Sequence, residues 1–165
     1  SYVSLAIGAS NFIDDDKYAD VDLDRYDLGW SLYGGYHFFR YFAVEAGYTD
    51  FGSFQARDDE VKIEERYSSL YLAAVGTLPL YSNWQLYGKL GAGAVRQAQS
   101  FSFQANDTTT HPAFVLGIGT LWAPKALQNW AFTVGFDSYS FETPQAGTNY
   151  WNSVGLTSAG ARYSF

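Results

Sequence analysis

Eight stretches of this chain alternate apolar residues with small or polar ones at a period of two, the spacing of strands and not of helices. The last stretch is the clearest. Counting back from the end, Phe165, Tyr163, Ala161 and Ala159 share one face, while Ser164, Arg162, Gly160 and Ser158 share the other. In a sheet surrounded by water, an apolar face ending in two aromatics is left exposed. At the edge of a bilayer the same residues form part of an aromatic girdle, with the polar face turned inward.

The other seven stretches follow the same rule. Strand one sets Val3, Leu5 and Ile7 against Ser4, Ala6 and Gly8. Strand two sets Tyr26, Leu28, Trp30, Leu32 and Tyr36 against Asp27, Gly29, Ser31, Tyr33 and His37. Strand three sets Phe42, Val44, Ala46 and Tyr48 against Ala43, Glu45, Gly47 and Thr49. Strand four carries Leu70, Leu72 and Ala74 against Tyr71, Ala73 and Val75, and ends at Pro79. Strand five carries Leu86, Leu90 and Ala92 against Tyr87, Lys89 and Gly91. Strand six sets Phe114, Leu116 and Ile118 against Val115, Gly117 and Gly119; strand seven sets Trp130, Phe132 and Val134 against Thr133, Gly135 and Asp137. Connections alternate in length. Long polar loops are expected at 13–25, 53–66, 98–111 and 141–150, and short turns at 38–41, 79–84 and around Pro124 and Lys125. An even strand count with long loops at one end and short turns at the other predicts an all-β fold, an eight-stranded antiparallel up-and-down transmembrane barrel in one domain, 1–165.

The polarity of the two faces separates this from a barrel that lives in water, whose interior is apolar and exterior charged. Here Glu45, Lys89, Asp137 and Arg162 all lie on the face with the glycines and serines, and the opposite face is Leu, Val, Ile, Ala and aromatics. An interior of eight strands is just wide enough to be filled by side chains. An unpaired buried charge is costly, so these acids and bases are expected to neutralise one another as a lumen network. Interior glycines are expected to let Tyr33, Tyr71 and Tyr87 lie across neighbouring strands. Tyr26, Tyr36, Tyr41, Tyr48, Trp122, Trp130 and Tyr163 fall near strand ends, as a girdle requires.

Composition agrees. Aromatic residues make up 19% of the chain, and no apolar run approaches the roughly 18 residues of a membrane-spanning helix. With Cys 0 there is no disulfide and no thiolate metal site. With Met 0, Ser1 is not a translation start, and a signal peptide is expected to have been removed. A net charge of -7 argues against nucleic acid as a partner.

The stretches G-G-Y-H-F-F-R-Y-F-A-V-E-A-G-Y at 34–48, L-P-L-Y-S-N-W-Q-L-Y-G-K-L-G-A-G at 78–93 and the ending A-R-Y-S-F resemble the OmpA-like, OmpX-type outer-membrane barrels. The resemblance runs over essentially the whole chain. It implies residence in the bacterial outer membrane as a monomer, contact with lipid and lipopolysaccharide, and recognition of Phe165 by the barrel-assembly machinery. It also implies an interior network of acids and bases. Glu45 and Lys89 hold matching positions, Val75, Gly119 and Thr133 stand where further charges are expected, and Asp137 and Arg162 are placed to substitute. The family's periplasmic peptidoglycan-binding domain has no counterpart in this sequence, and the terminal Phe reads as the end of a short barrel.

No catalytic, cofactor-binding or metal site is read. Barrel deacylases carry H-x-S, but His37 precedes Phe38-Phe39 and His111 precedes Pro112-Ala113. Barrel palmitoyl transferases begin with an amphipathic helix and have an apolar interior, unlike this chain. Asp14, Asp15, Asp16, Asp20, Asp22 and Asp24 form an acidic loop, a candidate surface contact. Counted from Asp20, the glycine and closing glutamate of a calcium loop are replaced by Arg25 and Ser31. The resemblance therefore implies a non-enzymatic barrel serving envelope integrity or surface contact, in adhesion, host-factor binding or colonisation. The alternatives are a narrow ion or small-solute channel lined by the four charges and, less favoured, a lipid-modifying enzyme.

Overall fold

The computed structural model describes residues 1–13, 27–58, 61–101, 104–145 and 148–165. Eight strands follow in order: β1 Tyr2–Ile13, β2 Asp27–Phe39, β3 Phe42–Asp58, β4 Val61–Tyr81, β5 Trp84–Phe101, β6 Gln104–Trp122, β7 Trp130–Gln145 and β8 Thr148–Ser164. Each pairs antiparallel with the next, and β8 pairs with β1, closing the sheet. Closure leaves no sheet edge, so the wall has no row of unpaired backbone groups facing hydrocarbon.

The register fixes the size of the barrel. Partners followed once round, Tyr2–Gly35–Glu45–Ala73–Gly91–Val115–Tyr139–Val154, lead back to β1 at Phe12, a stagger from position 2 to position 12, or ten residues. Such a stagger tilts the strands by roughly 35–45° and leaves an interior that side chains can fill. Outward residues of β5 from Trp84 to Ala94 are all apolar. At about 3.3 Å per residue and a tilt of about 40°, that run spans about 25 Å along the axis, the height of an apolar membrane belt.

Burial alternates as the sequence pattern predicts. Along β1, Tyr2, Ser4, Ala6 and Ser10 are buried, while Val3, Leu5 and Ile7 are exposed; along β4, Tyr71, Ala73 and Val75 are buried and Leu70, Leu72 and Ala74 exposed. The core lines the lumen, and the outer wall is mainly aliphatic and aromatic.

Two expectations need correction. The segments 53–66, 98–111 and 141–150 are not long loops: the ladder continues through Asp58↔Val61, Phe101↔Gln104 and Gln145↔Thr148. Once a strand rises out of the apolar belt both of its faces meet polar surroundings. The period-two signal then fades while backbone pairing goes on. β4 also does not end at Pro79, which pairs with Gln85 near the short-turn end, where a missing donor interrupts little. Among the described residues the aromatic girdle is heavier at one end. At the short-turn end Trp84 stacks on Trp122 at 6.2 Å, Trp122 meets Phe132 at 5.8 Å, and Trp130 meets Tyr163 at 5.2 Å. At the other end Trp30 and Tyr48 pair at 5.5 Å, and Trp151 of β8 is exposed. Tyr26 and the acidic residues Asp14, Asp15, Asp16, Asp20, Asp22 and Asp24 lie outside the described residues.

The β3 ladder breaks between Asp50 and Ser53, where Gly52 takes φ 82 and its N–H is held by Asp50 Oδ1 at 2.9 Å. This bulge needs glycine, because the positive φ strains other residues and a Cβ would lie 2.7 Å from the Asp27 carboxylate.

The lipid-facing assignment makes a direct prediction. Leu90→Arg, at a side chain 62% exposed in mid-strand, should lower stability in vesicles by about 2–4 kcal/mol, and Tyr81→Arg at the turn by about 1 kcal/mol or less, read by urea unfolding. Equal costs at the two positions would contradict the assignment.

Candidate functional site

The lumen has two layers, and the polar one lies toward the short-turn end. Its centre is Glu45 on β3, 1% exposed. Inward alternation places it opposite Lys89 of β5, whose Nζ lies 2.9 Å from Glu45 Oε1. Tyr71 donates its hydroxyl to the same oxygen at 2.8 Å, and Tyr2 donates to Oε2 at 2.7 Å. Arg162 Nη2 stands 3.9 Å from Oε2. Lys89 also donates to Asp137 Oδ2 at 3.3 Å and to the Tyr71 hydroxyl at 3.2 Å. The four charges form one connected group in which the two acids and two bases cancel.

Aromatic rings complete the solvation of the cations. Arg162 lies over the Tyr2 ring at 3.9 Å and donates from Nε to Ser4 Oγ at 3.2 Å. Lys89 Nζ lies 4.8 Å from the Tyr33 ring and 5.1 Å from the Tyr71 ring. Cation–π contact gains strength where water is excluded. Asp137 is the exception: its Oδ1 is buried with no hydrogen-bond partner among the described residues.

Glycines make the room. A Cβ on Gly47 would come within 2.7 Å of both Tyr33 and Tyr71, and one on Gly119 within 2.5 Å of the Tyr87 hydroxyl. Gly135 is closed off by the same hydroxyl, and Gly117 by Asp137 Oδ1. Each large polar side chain thus lies across a strand whose own side chain is missing.

The second layer, toward the opposite end, is apolar. Phe51 and Tyr139 meet edge to face at 5.0 Å, Phe141 stacks on His111 at 5.9 Å, and Val95, Val115, Val154 and Leu156 are fully buried around them. Thr49 joins the layers, within hydrogen-bond distance of Ser31 at 3.0 Å and of Tyr139 at 2.9 Å. The sequence reading singled out neither Tyr2, the second hydroxyl on Glu45, nor Phe51 and Tyr139, the apolar stopper. Inward parity with Ser4 and with Asp137 was the available signal for Tyr2 and Tyr139. Phe51 is harder, because it sits beside the bulge that resets β3.

The sequence profile of the OmpA-like transmembrane domain matches residues 1–165. The chain belongs to that family. It is an OmpA-like barrel of the bacterial outer membrane. It is 25% identical to outer membrane protein P5 of Haemophilus influenzae over 187 residues, which cover 99% of this chain and 53% of that protein. The chain therefore spans about half the length of that relative. Among solved structures, Neisserial surface protein A superposes with a TM-score of 0.75 at 16% identity, covering 99% of this chain and 96% of the other. Ail, the attachment invasion locus protein of Yersinia pestis, gives 0.61 at 22% identity, covering 99% and 98%, and has also been solved with the heparin analogue sucrose octasulfate. The outer membrane enzyme PagL gives 0.53 at 14% identity, covering 100% of both chains, so the same barrel shape also carries catalysis.

Within this OmpA-like barrel, removing one charge of the group should cost more than removing an acid and a base together. Lys89→Met leaves the buried Asp137 carboxylate without its cation and should destabilise by about 3–5 kcal/mol in urea unfolding followed by tryptophan fluorescence. Adding Asp137→Asn should recover most of that loss, because Glu45 and Arg162 still neutralise each other. Additive losses would show that the charges do not act as a unit.

Proposed function

We propose that this barrel is a non-enzymatic anchor that displays its loop-side rim at the cell surface for contact with other surfaces, in adhesion or colonisation. The observation that carries this reading is the filled lumen. The charge group around Glu45 and the apolar stopper around Phe51 and Tyr139 occupy the interior in series, which leaves the rim as the surface able to meet a partner. The segments 13–25, 53–66, 98–111 and 141–150 would supply the contact.

The Ail barrel supports the class of role, since its name describes attachment and one of its structures holds a heparin analogue. Charge suggests a different partner here. Segment 13–25 holds Asp14, Asp15, Asp16, Asp20, Asp22 and Asp24 against one lysine and one arginine, and the chain carries -7 overall. A sulfated glycan is repelled by such a rim, and a cationic protein surface is attracted. Surrounding lipid and lipopolysaccharide, assembly through Phe165 and a monomeric state belong to the same reading.

Catalysis is disfavoured by where the histidines lie. The chain has His 2, and a lipid hydrolase of the PagL shape needs a base facing lipid. His111 is buried in the lumen against Phe141, and His37 is packed against Tyr2 at 5.1 Å at the short-turn end. The channel reading meets the stopper: hydrated ions would have to pass a layer of fully buried Phe, Val and Leu side chains.

Two outcomes follow. In planar bilayers the purified barrel should show no stable nanosiemens-scale openings, whereas long-lived conductance would support the channel. On whole cells, changing the six aspartates of 13–25 to asparagine should weaken binding to a cationic host-protein surface and remove its salt dependence. Unchanged binding, or a mass shift in lipid A caused by expressing the barrel, would overturn the proposal.

A further inference from the structure

The lipid-facing wall is not evenly covered. Gly76 of β4 and Gly88 of β5 are direct partners across the sheet, and both point outward. Phe42, Leu78, Leu86 and Ile118 rise around them and leave a hollow of about 600 Å³. These glycines differ from those of the lumen. A Cβ on Gly76 would meet only Phe42, at 3.8 Å, and one on Gly88 only the Gly117 carbonyl oxygen, at 3.9 Å. Neither is required by packing within the chain; what they leave is open space in the wall.

A second hollow of about 580 Å³ adjoins the first, sharing Tyr41 and Phe42, and is lined by Phe38, Phe39 and Arg40 at the β2–β3 turn. The turn is tied to β4 by Thr77 N–H donating to the Tyr41 carbonyl at 2.8 Å. The Arg40 guanidinium lies 5.6 Å from the Tyr41 ring and is exposed at the short-turn rim. The result is an apolar trench within the belt with a cation at its mouth, level with the headgroups.

We propose that this trench binds one glycerophospholipid of the periplasmic leaflet, with an acyl chain along Gly76 and Gly88 and the phosphate on Arg40. An unfilled hollow in the wall forfeits dispersion contacts, and an acyl chain follows its shape without creating a buried polar group. Arginine suits the other end, since its planar fork matches a phosphate. The short-turn end sets the lipid class, because lipopolysaccharide occupies the opposite leaflet. A second copy related by a two-fold axis through this face would bring its own Arg40 toward the first.

The test is native mass spectrometry of the detergent-purified barrel titrated with dipalmitoyl phosphatidylglycerol. The unaltered chain should retain one lipid. Gly76→Leu with Gly88→Leu, which fills the trench, should cut retention by about tenfold or more. Arg40→Gln should cut it by about threefold, as befits one exposed charged contact. Heat-modifiable gel mobility checks that each variant is folded, and Gly76→Ala with Gly88→Ala replaces the leucine pair if insertion suffers. Equal retention in the filled variants would overturn the proposal. So would preferential retention of lipopolysaccharide, or a dimer of the unaltered chain that the leucines dissolve.

Discussion

Hydrocarbon offers no partner to a backbone amide, and most of this structure follows from that fact. Strands in a bilayer have to close, and closure at eight strands with a ten-residue stagger produces a narrow interior. A narrow interior has to be filled, and its contents are cut off from water. From there the side chains have little freedom. The outer face becomes aliphatic and aromatic, and the inner face pairs most of its polar atoms, Asp137 Oδ1 being an exception.

Two different solutions share the lumen. Near the short turns, Glu45 accepts from Tyr2, Tyr71 and Lys89, while Arg162 rests on the Tyr2 ring. Near the other end, Phe51, Tyr139 and their aliphatic neighbours fill space without charge. Thr49 and Ser31 make the boundary, using hydroxyls that satisfy one another. The polar solution depends on missing side chains as much as on present ones, because Tyr33, Tyr71 and Tyr87 lie where Gly47, Gly119 and Gly135 have none.

What the sequence made readable was set by the surroundings of each segment. Inside the belt, lipid on one side and lumen on the other impose a strict alternation, so strand identity, facing and the lumen position of Glu45, Lys89, Asp137 and Arg162 could be read from parity alone. Above the belt that contrast is lost. The paired extensions through Asp58, Phe101 and Gln145 therefore read as loops although their backbones stay paired. Spatial meetings between distant strands also left no local mark: nothing near Tyr2 announces that its hydroxyl reaches Glu45, and nothing near Thr49 announces Tyr139. The bulge at Gly52 was hidden for a related reason, since the residue it re-aims, Phe51, looks from sequence like any strand aromatic.

The uneven aromatic collar affects how the barrel sits in membranes of unequal thickness. Trp84, Trp122, Trp130 and Tyr163 fasten one rim at the headgroup level. Among the described residues the far rim has the pair Trp30 and Tyr48 and the exposed Trp151, with Ser138, Ser140 and Thr157 on the outside of β7 and β8. When the bilayer thins or swells, the mismatch is absorbed where the fastening is weakest. The molecule is moored like a buoy on a short chain: its short-turn rim keeps its depth, and the opposite rim rises or sinks relative to the lipid around it.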